Sequence, residues 1–277
     1  MLVSLFWGVN PVAIKIGLLD APPLRLAALR LLVGLGVIAV WALRTGRLDG
    51  FHIWPSERAP LLVLGLMMTV QIGSMNIATA LTSAAHAAIF LNLYAVHTVV
   101  LAHFLIPGDR LTARKLAGVV VGYAGIVLLF AGQVSAGASS LFGDVLVFAS
   151  GLILADRTIY LARAVHSLDP VKLLLSQALI GTVLFFLISL AVEPAAVHWT
   201  LRLAGVIGFQ GAVLAGFNFI VNLWLLKRYR PSALSPFFLT QPIFGVIAAA
   251  VFSGERLTMD VLVASVAVAI GIGLAAR

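Results

Sequence analysis

Between Arg58 and Asp109 the chain reads APLLVLGLMMTVQIGSMNIATALTSAAHAAIFLNLYAVHTVVLAHFLIPG, the fifty residues Ala59–Gly108 without a single Asp, Glu, Lys or Arg. As one helix this run would extend about 75 Å at ~1.5 Å per residue, more than twice a hydrocarbon core of ~30 Å. It must therefore turn back, and the small, weakly polar stretch Thr79-Ala80-Leu81-Thr82-Ser83-Ala84 is the place to do so. Working outward, the uncharged windows Leu116–Gly143, Leu173–Val192, Leu203–Leu226, Pro231–Gly254 and Val261–Ala276 each fit one span of roughly 20 residues. Three further spans carry an internal charge: Met1–Leu19 with Lys15, Pro23–Leu43 with Arg30, and Leu141–Ala164 with Asp156 and Arg157. The expectation is ten helices, near 2–24, 23–43, 60–80, 85–106, 113–131, 142–164, 170–191, 202–226, 232–253 and 259–276, the first ending near residue 19 if Pro22 and Pro23 mark the turn.

Composition agrees. Of 277 residues, 62% are hydrophobic and 10% charged, against roughly 45–50% and about 25% in a soluble domain. A soluble enzyme could not hide so much apolar side chain, and a disordered chain would not carry it. The runs are continuous rather than alternating, which argues against a transmembrane β-barrel. With no cysteine, disulfides, thiolate metal sites and cysteine nucleophiles are excluded. The first helix lacks a basic start and a cleavage site, so it reads as a retained span rather than a signal peptide. The net charge of +8 is spread thinly along the chain; it fits loop ends at a membrane surface, not a nucleic-acid partner.

The basic residues set an orientation. With the N-terminus inside, cytoplasmic loops hold twelve Lys and Arg (Arg44, Arg47, Arg58, Arg110, Arg114, Lys115, Arg163, Lys172, Lys227, Arg228, Arg230, Arg277) and the outer side three (Arg25, Arg202, Arg256). This bias predicts cytoplasmic N- and C-termini and an even number of spans.

Gly108-Asp109-Arg110-Leu111-Thr112 closes the fourth expected span, and Gly254-Glu255-Arg256-Leu257-Thr258 closes the ninth, at an offset of 146 residues. Gly125-Ile126 pairs with Gly271-Ile272 at the same offset. The repeat divides the chain into five helices plus five, residues 1–134 and 135–277. A unit with an odd number of spans inserts the second time upside down. Inverted repeats of this kind build secondary transporters, whose site lies at the repeat interface near the bilayer midplane.

The residues carrying this argument also resemble a family. Trp7-Gly8-Val9-Asn10, Pro22-Pro23, Arg30 and the two Gly-(Asp/Glu)-Arg-Leu-Thr turns are similar to the EamA units of the drug/metabolite transporter superfamily. The resemblance implies a ten-helix exporter of small metabolites, often amino acids, akin to the YddG-like aromatic amino-acid exporters. It implies a central cavity lined mainly by helices 1, 3, 4, 6, 8 and 9. Arginine outnumbers lysine fourteen to four and alanine is frequent, a composition that hints at a GC-rich bacterium and hence an inner-membrane location. Helix 9 keeps the family's proline at Pro242, whereas the corresponding first-half position is Val96, so helix 4 is expected to lack that kink. Asp109 stands where Glu is usual, and helix 6 has Leu154-Ala155-Asp156-Arg157 where a tryptophan is common.

Polar side chains within spans are costly and mark function by default. Asn10, Gln71, Asn76, Asn92, Asn218 and Gln241 are candidates to contact a substrate; each equally fits hydrogen bonding between helices. Trp7, Phe90, Tyr94, Phe217 and Trp224 are candidate apolar walls, with Tyr94 placed best and Trp224, beside Lys227 and Arg228, reading as an interface anchor. His86 and His97 lie eleven residues apart and share a helical face, either as a polar path or as neutral side chains satisfied by neighbouring helices. Asp156 reads as the only acidic residue of ten well inside an apolar span, hence a candidate for proton coupling or for a structural pair with another group. Lys15 and Arg30 fall in the outer halves of neighbouring spans, to snorkel or to attract anions. Pro236 and Pro242 are candidate hinges. Gly118, Gly122 and Gly125 on helix 5, with Ala267 and Gly271 on helix 10, have the spacing of close helix packing.

A secondary exporter working by alternating access is the reading these features favour, with neutral and aromatic amino acids as cargo and no cofactor or metal. Its partners are the substrate and the lipid bilayer, as a monomer or weak homodimer. Nucleosides, polyamines and amphipathic drugs are alternative cargoes. A membrane-embedded enzyme would need a catalytic cluster, and no zinc-protease or Gly-x-Ser-x-Gly motif occurs. A channel would use symmetric subunits and pore-lining charge. No phosphate-cradling motif occurs that would support ATP-driven transport.

Overall fold

A computed structural model describes residues 2–48, 52–133, 138–230, 234 and 240–275. Helix makes up 83% of it, and no strand occurs among the described residues. The elements are α1 (Leu2–Gly17), α2 (Pro23–Arg44), α3 (Pro55–Leu81), α4 (Ala84–Asn92), α5 (Tyr94–Leu105), α6 (Ala113–Gln133), α7 (Ala138–Ala164), α8 (Pro170–Val192) and α9 (Leu201–Gly208). A π-helical stretch, Phe209–Asn218, then leads into α10 (Phe219–Arg228), followed by α11 (Gln241–Ser253) and α12 (Met259–Ala275). Among the described residues six helical stretches are long and apolar enough to cross a membrane: Pro23–Arg44, Pro55–Leu81, Ala84–Leu105, Leu141–Ala164, Pro170–Val192 and Leu201–Arg228. Val3–Gly17, Gln241–Ser253 and Met259–Ala275 are shorter apolar helices. The chain is a multi-pass membrane protein.

The turns fall where the sequence puts them, for visible reasons. Pro22 and Pro23 open α2, a position where the missing N–H of proline costs nothing. The turn in the fifty-residue run is Thr82-Ser83, and the Ser83 hydroxyl caps α4 by accepting from the His86 N–H at 3.0 Å. Asp169 caps α8 in the same way, through the N–H groups of Val171 and Lys172. Gly254 ends α11 in the left-handed conformation at φ 66°, the usual glycine stop.

The chain separates into two compact units, each drawing on both sequence halves. One unit comprises residues 16–73 and 160–228. In it α2 packs against α8 and the π-helical stretch, around Leu24, Ala27, Leu31, Met68, Ile72 and Phe185. Glycines allow the approach: a Cβ on Gly211 would lie 2.8 Å from the Arg30 carbonyl oxygen, and one on Gly34 would lie 2.6 Å from the Ala215 Cβ. Charged groups tie the helix ends. Asp20 receives both Nε and Nη2 of Arg202 at 2.8 Å and the Thr200 hydroxyl at 2.9 Å. The Glu193 carboxylate accepts from the Leu24 and Arg25 N–H groups at the start of α2, and Lys172 pairs with Glu57 at 2.8 Å.

The other unit comprises residues 1–15, 74–159 and 229–277. Its tightest seam joins α6 to α12. A Cβ on Gly118 would lie 2.5 Å from the Gly271 carbonyl oxygen, and one on Gly271 would lie 2.6 Å from the Gly122 nitrogen. The small-residue stripe on α6 and α12 therefore serves packing within the chain, as van der Waals contact drives helix association in lipid.

One expectation changes. Helix 4 is interrupted despite Val96: α4 ends at Asn92, Leu93 adopts a tight turn, and α5 begins at Tyr94. The Asn92 Nδ2 donates to the Ala88 carbonyl at 2.6 Å, and the Leu93 N–H bonds the Phe90 carbonyl, three residues back. The side chain competes for the helix ladder, so asparagine does here what proline does elsewhere. Pro242 sits in the first turn of α11. Pro236 lies outside the described residues.

Candidate functional site

In the unit of residues 1–15, 74–159 and 229–277, polar side chains gather in two places. The first is the α3–α4 turn. Lys15 Nζ donates to the carbonyls of Thr79 at 3.0 Å and Thr82 at 2.6 Å, while the Glu255 carboxylate accepts from the N–H groups of Ala84 at 2.6 Å and Ala85 at 3.0 Å. A cation thus meets the C-terminal end of α3 and an anion the N-terminal end of α4, as helix dipoles favour. Beneath them His86 Nδ1 lies 2.9 Å from Asp144 Oδ2, and Thr82 donates its hydroxyl to the other oxygen of Asp144. Asp144 has no accessible surface. His86 is therefore satisfied by a neighbouring helix, and Lys15 is used by backbone carbonyls.

Asp144 lies near the start of α7, whereas Asp156 lies deeper in the same helix.

The second place is built around the α4–α5 interruption. Tyr94, the first residue of α5, meets the side chain of Gln241, the first residue of α11. Gln241 is buried, at 2% exposure. Its Nε2 completes no hydrogen bond of ordinary geometry among the described residues, and neither does Thr240 Oγ1. Thr240 provides no side-chain cap for α11. Glycines set this crossing too: a Cβ on Gly8 would lie 2.6 Å from the Gln241 carbonyl oxygen, and one on Gly245 would lie 2.8 Å from the Gly8 carbonyl oxygen. The Trp7-Gly8-Val9-Asn10 segment thus passes directly over the start of α11.

One helical turn beyond Tyr94, His97 Nδ1 is 3.2 Å from the Tyr123 hydroxyl and lies within electrostatic reach of Asp156. Residues three apart lie on one helical face. Gln241, Tyr94, His97 and Asp156 therefore form one row, with Tyr94 and His97 half-buried and Asp156 exposed.

The remaining candidates divide. Asn10 and Asn76 are buried and Trp7 half-buried in this unit, each with interactions of its own. Asn92 is spent partly on the Ala88 carbonyl. Gln71 and Asn218 belong to the other unit, buried and already interacting. Arg30 is also buried there. Tyr123 and Thr240 were not foreseen; Tyr123 lies on the small-residue helix, where spacing suggested packing alone. Arg228 stacks over Trp224 at 4.2 Å, as expected of an interface anchor. No cluster of metal-ligating side chains occurs among the described residues.

An all-helical, multi-pass chain whose polar groups converge on helix interruptions is the architecture of a membrane transporter. The chain belongs to the EamA-like transporter family, whose model matches residues 1–131 and 141–277. YoaV of Bacillus subtilis (strain 168), an uncharacterized transporter, is 22% identical over 98% of this chain and 92% of its own length. A probable amino-acid metabolite efflux pump of Escherichia coli (strain K12) is 28% identical, covering 93% of this chain and 87% of its own length. A solved crystal structure shares the fold with a TM-score of 0.75 at 20% identity, over 99% of this chain and 92% of that one. Family and relatives point to a transporter rather than an enzyme.

Proposed function

We propose that the chain exports neutral amino acids, aromatic ones among them, across the cytoplasmic membrane of a bacterium by alternating access. The observation that carries this reading is the row Gln241–Tyr94–His97–Asp156: hydrogen-bonding and charged groups beside aromatic surface, at interruptions of apolar helices. The name of the Escherichia coli relative, a probable amino-acid metabolite efflux pump, points to the same cargo. Trp7, Asn10, Asn76 and Asn92 complete the substrate contacts in this reading. Asp156 is the carboxylate that exchanges a proton, and Pro242 serves as a hinge.

The mechanism rests on ten helices in two inverted five-helix repeats, residues 1–134 and 135–277. Two matches to one family model, over 1–131 and 141–277, support that division. The contacts support the orientation. Lys15, the α3–α4 turn, Asp144 and Glu255, all assigned to the outer side, meet one another. Arg230 reaches the Gly108 carbonyl at 2.9 Å and Lys172 reaches Glu57, both pairings assigned to the inner side. Reporter fusions at both ends are expected to lie in the cytoplasm; ends on opposite faces contradict the inverted repeat.

Purified protein in liposomes is expected to carry labelled phenylalanine, threonine or methionine faster than empty vesicles, with saturation. No flux of any amino acid contradicts the proposal.

A further inference from the structure

We infer that the turn joining α5 to α6 holds an anionic phospholipid, its phosphate gripped by Arg110, Arg114 and Arg230 and its acyl chains lying along Phe104, Leu116 and Val120. The inference concerns the lipid around the chain and stands apart from the amino-acid reading above. The turn is a fixed one. Gly108 takes the left-handed conformation at φ 78°, which glycine adopts without steric cost. The Arg230 guanidinium lies against its open face: Nη1 donates to the Gly108 carbonyl at 2.9 Å, and a Cβ on Gly108 would lie 3.2 Å from Nη2. The Asp109 N–H bonds the Ile106 carbonyl at 3.2 Å, and Lys115 Nζ donates to Asp109 Oδ1 at 2.7 Å. The Leu111 N–H donates to His103 Nδ1 at 3.1 Å. These bonds hold the backbone on both sides of Arg110 and keep the last turn of α5 beside the start of α6.

The charge of this turn is one-sided. Lys115 and Asp109 cancel. Arg110, Arg114 and Arg230 are exposed and form no ion pair among the described residues. Beyond Arg230 the chain has no acidic residue before Glu255. The repeat supplies an internal comparison. The turn 146 residues later keeps Gly254 and Arg256 but has Asp260 in the place of Arg114, and its Glu255 is spent on the start of α4. Uncompensated cations therefore gather at one copy of the motif and not at the other. All three are arginines, whose planar fork of donors matches a phosphate, whereas the lysine is the cation already neutralised. Apolar surface adjoins them. Phe104, next to His103 at the end of α5, and Leu116 and Val120, one turn apart on α6, are all exposed. On a multi-pass protein such surface faces acyl chains. Cations beside a lipid-facing ridge match the two parts of one anionic amphiphile; a free phosphate would use only the cations.

The full chain purified in a non-ionic detergent supplies the test, with phosphatidylglycerol, phosphatidylcholine and inorganic phosphate as probes. Binding is read from lipid retained in native mass spectra and from the rise in melting temperature. Phosphatidylglycerol is expected to bind about tenfold or more tighter than phosphatidylcholine. Inorganic phosphate at the same concentration is expected not to displace it. One basic side chain near a headgroup is worth about fivefold in affinity. Arg110→Gln combined with Arg114→Gln is therefore expected to weaken phosphatidylglycerol binding about tenfold or more, with the lipid-free melting temperature unchanged. Arg114→Asp, which installs the residue of the other repeat, is expected to weaken it about fivefold or more. Arg256→Gln is expected to leave it unchanged. Equal affinity for the two lipids overturns the inference. So does unchanged phosphatidylglycerol binding in Arg114→Asp, or a loss in Arg256→Gln as large as that in the double variant. Displacement by inorganic phosphate overturns it too, because it marks a bare anion site.

Discussion

In the unit of residues 16–73 and 160–228, ion pairs and carboxylate caps sit at helix ends: Asp20 with Arg202, Glu193 at the first turn of α2, Glu57 with Lys172. The unit of residues 1–15, 74–159 and 229–277 has end-caps of the same kind, in Lys15 and Glu255. It adds polar groups at interruptions, where Tyr94 and Gln241 meet and the Gln241 Nε2 has no hydrogen bond of ordinary geometry among the described residues. The difference separates two uses of buried polarity. A carboxylate on a first turn is explained by the N–H groups it accepts from. In the proposed reading, the buried side chain beside a half-accessible tyrosine serves something that arrives.

The largest expected effect falls on the seam of the second unit. Gly271→Leu forces a side chain into the Gly122 backbone, 2.6 Å from the position of its Cβ. Little folded protein is expected in the membrane, by size-exclusion profile and melting temperature. Gly205→Ala, with open space around the Cβ, is expected to be neutral within about 1 kcal/mol. Equal behaviour of the two would remove the packing account.

Asp144→Ala leaves His86 and Thr82 without their buried partner. Breaking a buried pair of this kind costs about 3 kcal/mol, read as a loss of resistance to denaturant. Asp156→Asn, on an exposed group of the same unit, is expected to leave the melting temperature unchanged and to reduce proton-driven flux roughly tenfold. If Asp156→Asn destabilised the protein as much as Asp144→Ala, the division between structural and functional carboxylates would fail.

The smallest effect belongs to the first unit. The Arg202 guanidinium, helped by the Thr200 hydroxyl, holds the Asp20 carboxyl below its usual range. A lowered value in the folded state means that the stabilisation is complete above the unfolded carboxylate value, about 3.9. It is lost as pH falls through the folded value. Asp20→Asn is expected to lower the melting temperature slightly at pH 7 and to flatten its decline below about pH 4. An unchanged acid limb would show that the pair contributes nothing measurable.

Spans and turns were legible because bilayer thickness converts charge-free runs into lengths, and because proline and serine punctuate them, as at Pro23 and Ser83. The α6–α12 seam was legible in its glycine spacing. The α4–α5 interruption was not, since no proline marks it and the cause is one asparagine side chain bonding four residues back. Among the site residues, Tyr94, His97, Asp156 and Gln241 stood out as polar or aromatic groups inside spans. Their pairing did not, because contacts between residues 94 and 241 leave no trace in local periodicity. Tyr123 was hidden on a helix whose spacing spoke only of packing.

The absence of cysteine makes the central claim directly accessible. Single cysteines at Tyr94 and His97 can be modified with a membrane-impermeant thiol reagent from either side of sealed vesicles, with Leu190→Cys, on a wholly apolar exposed position, as control. The account predicts modification of both site cysteines from both faces, slowed by phenylalanine, and none at position 190. Modification from one face only, indifferent to every amino acid, would contradict it.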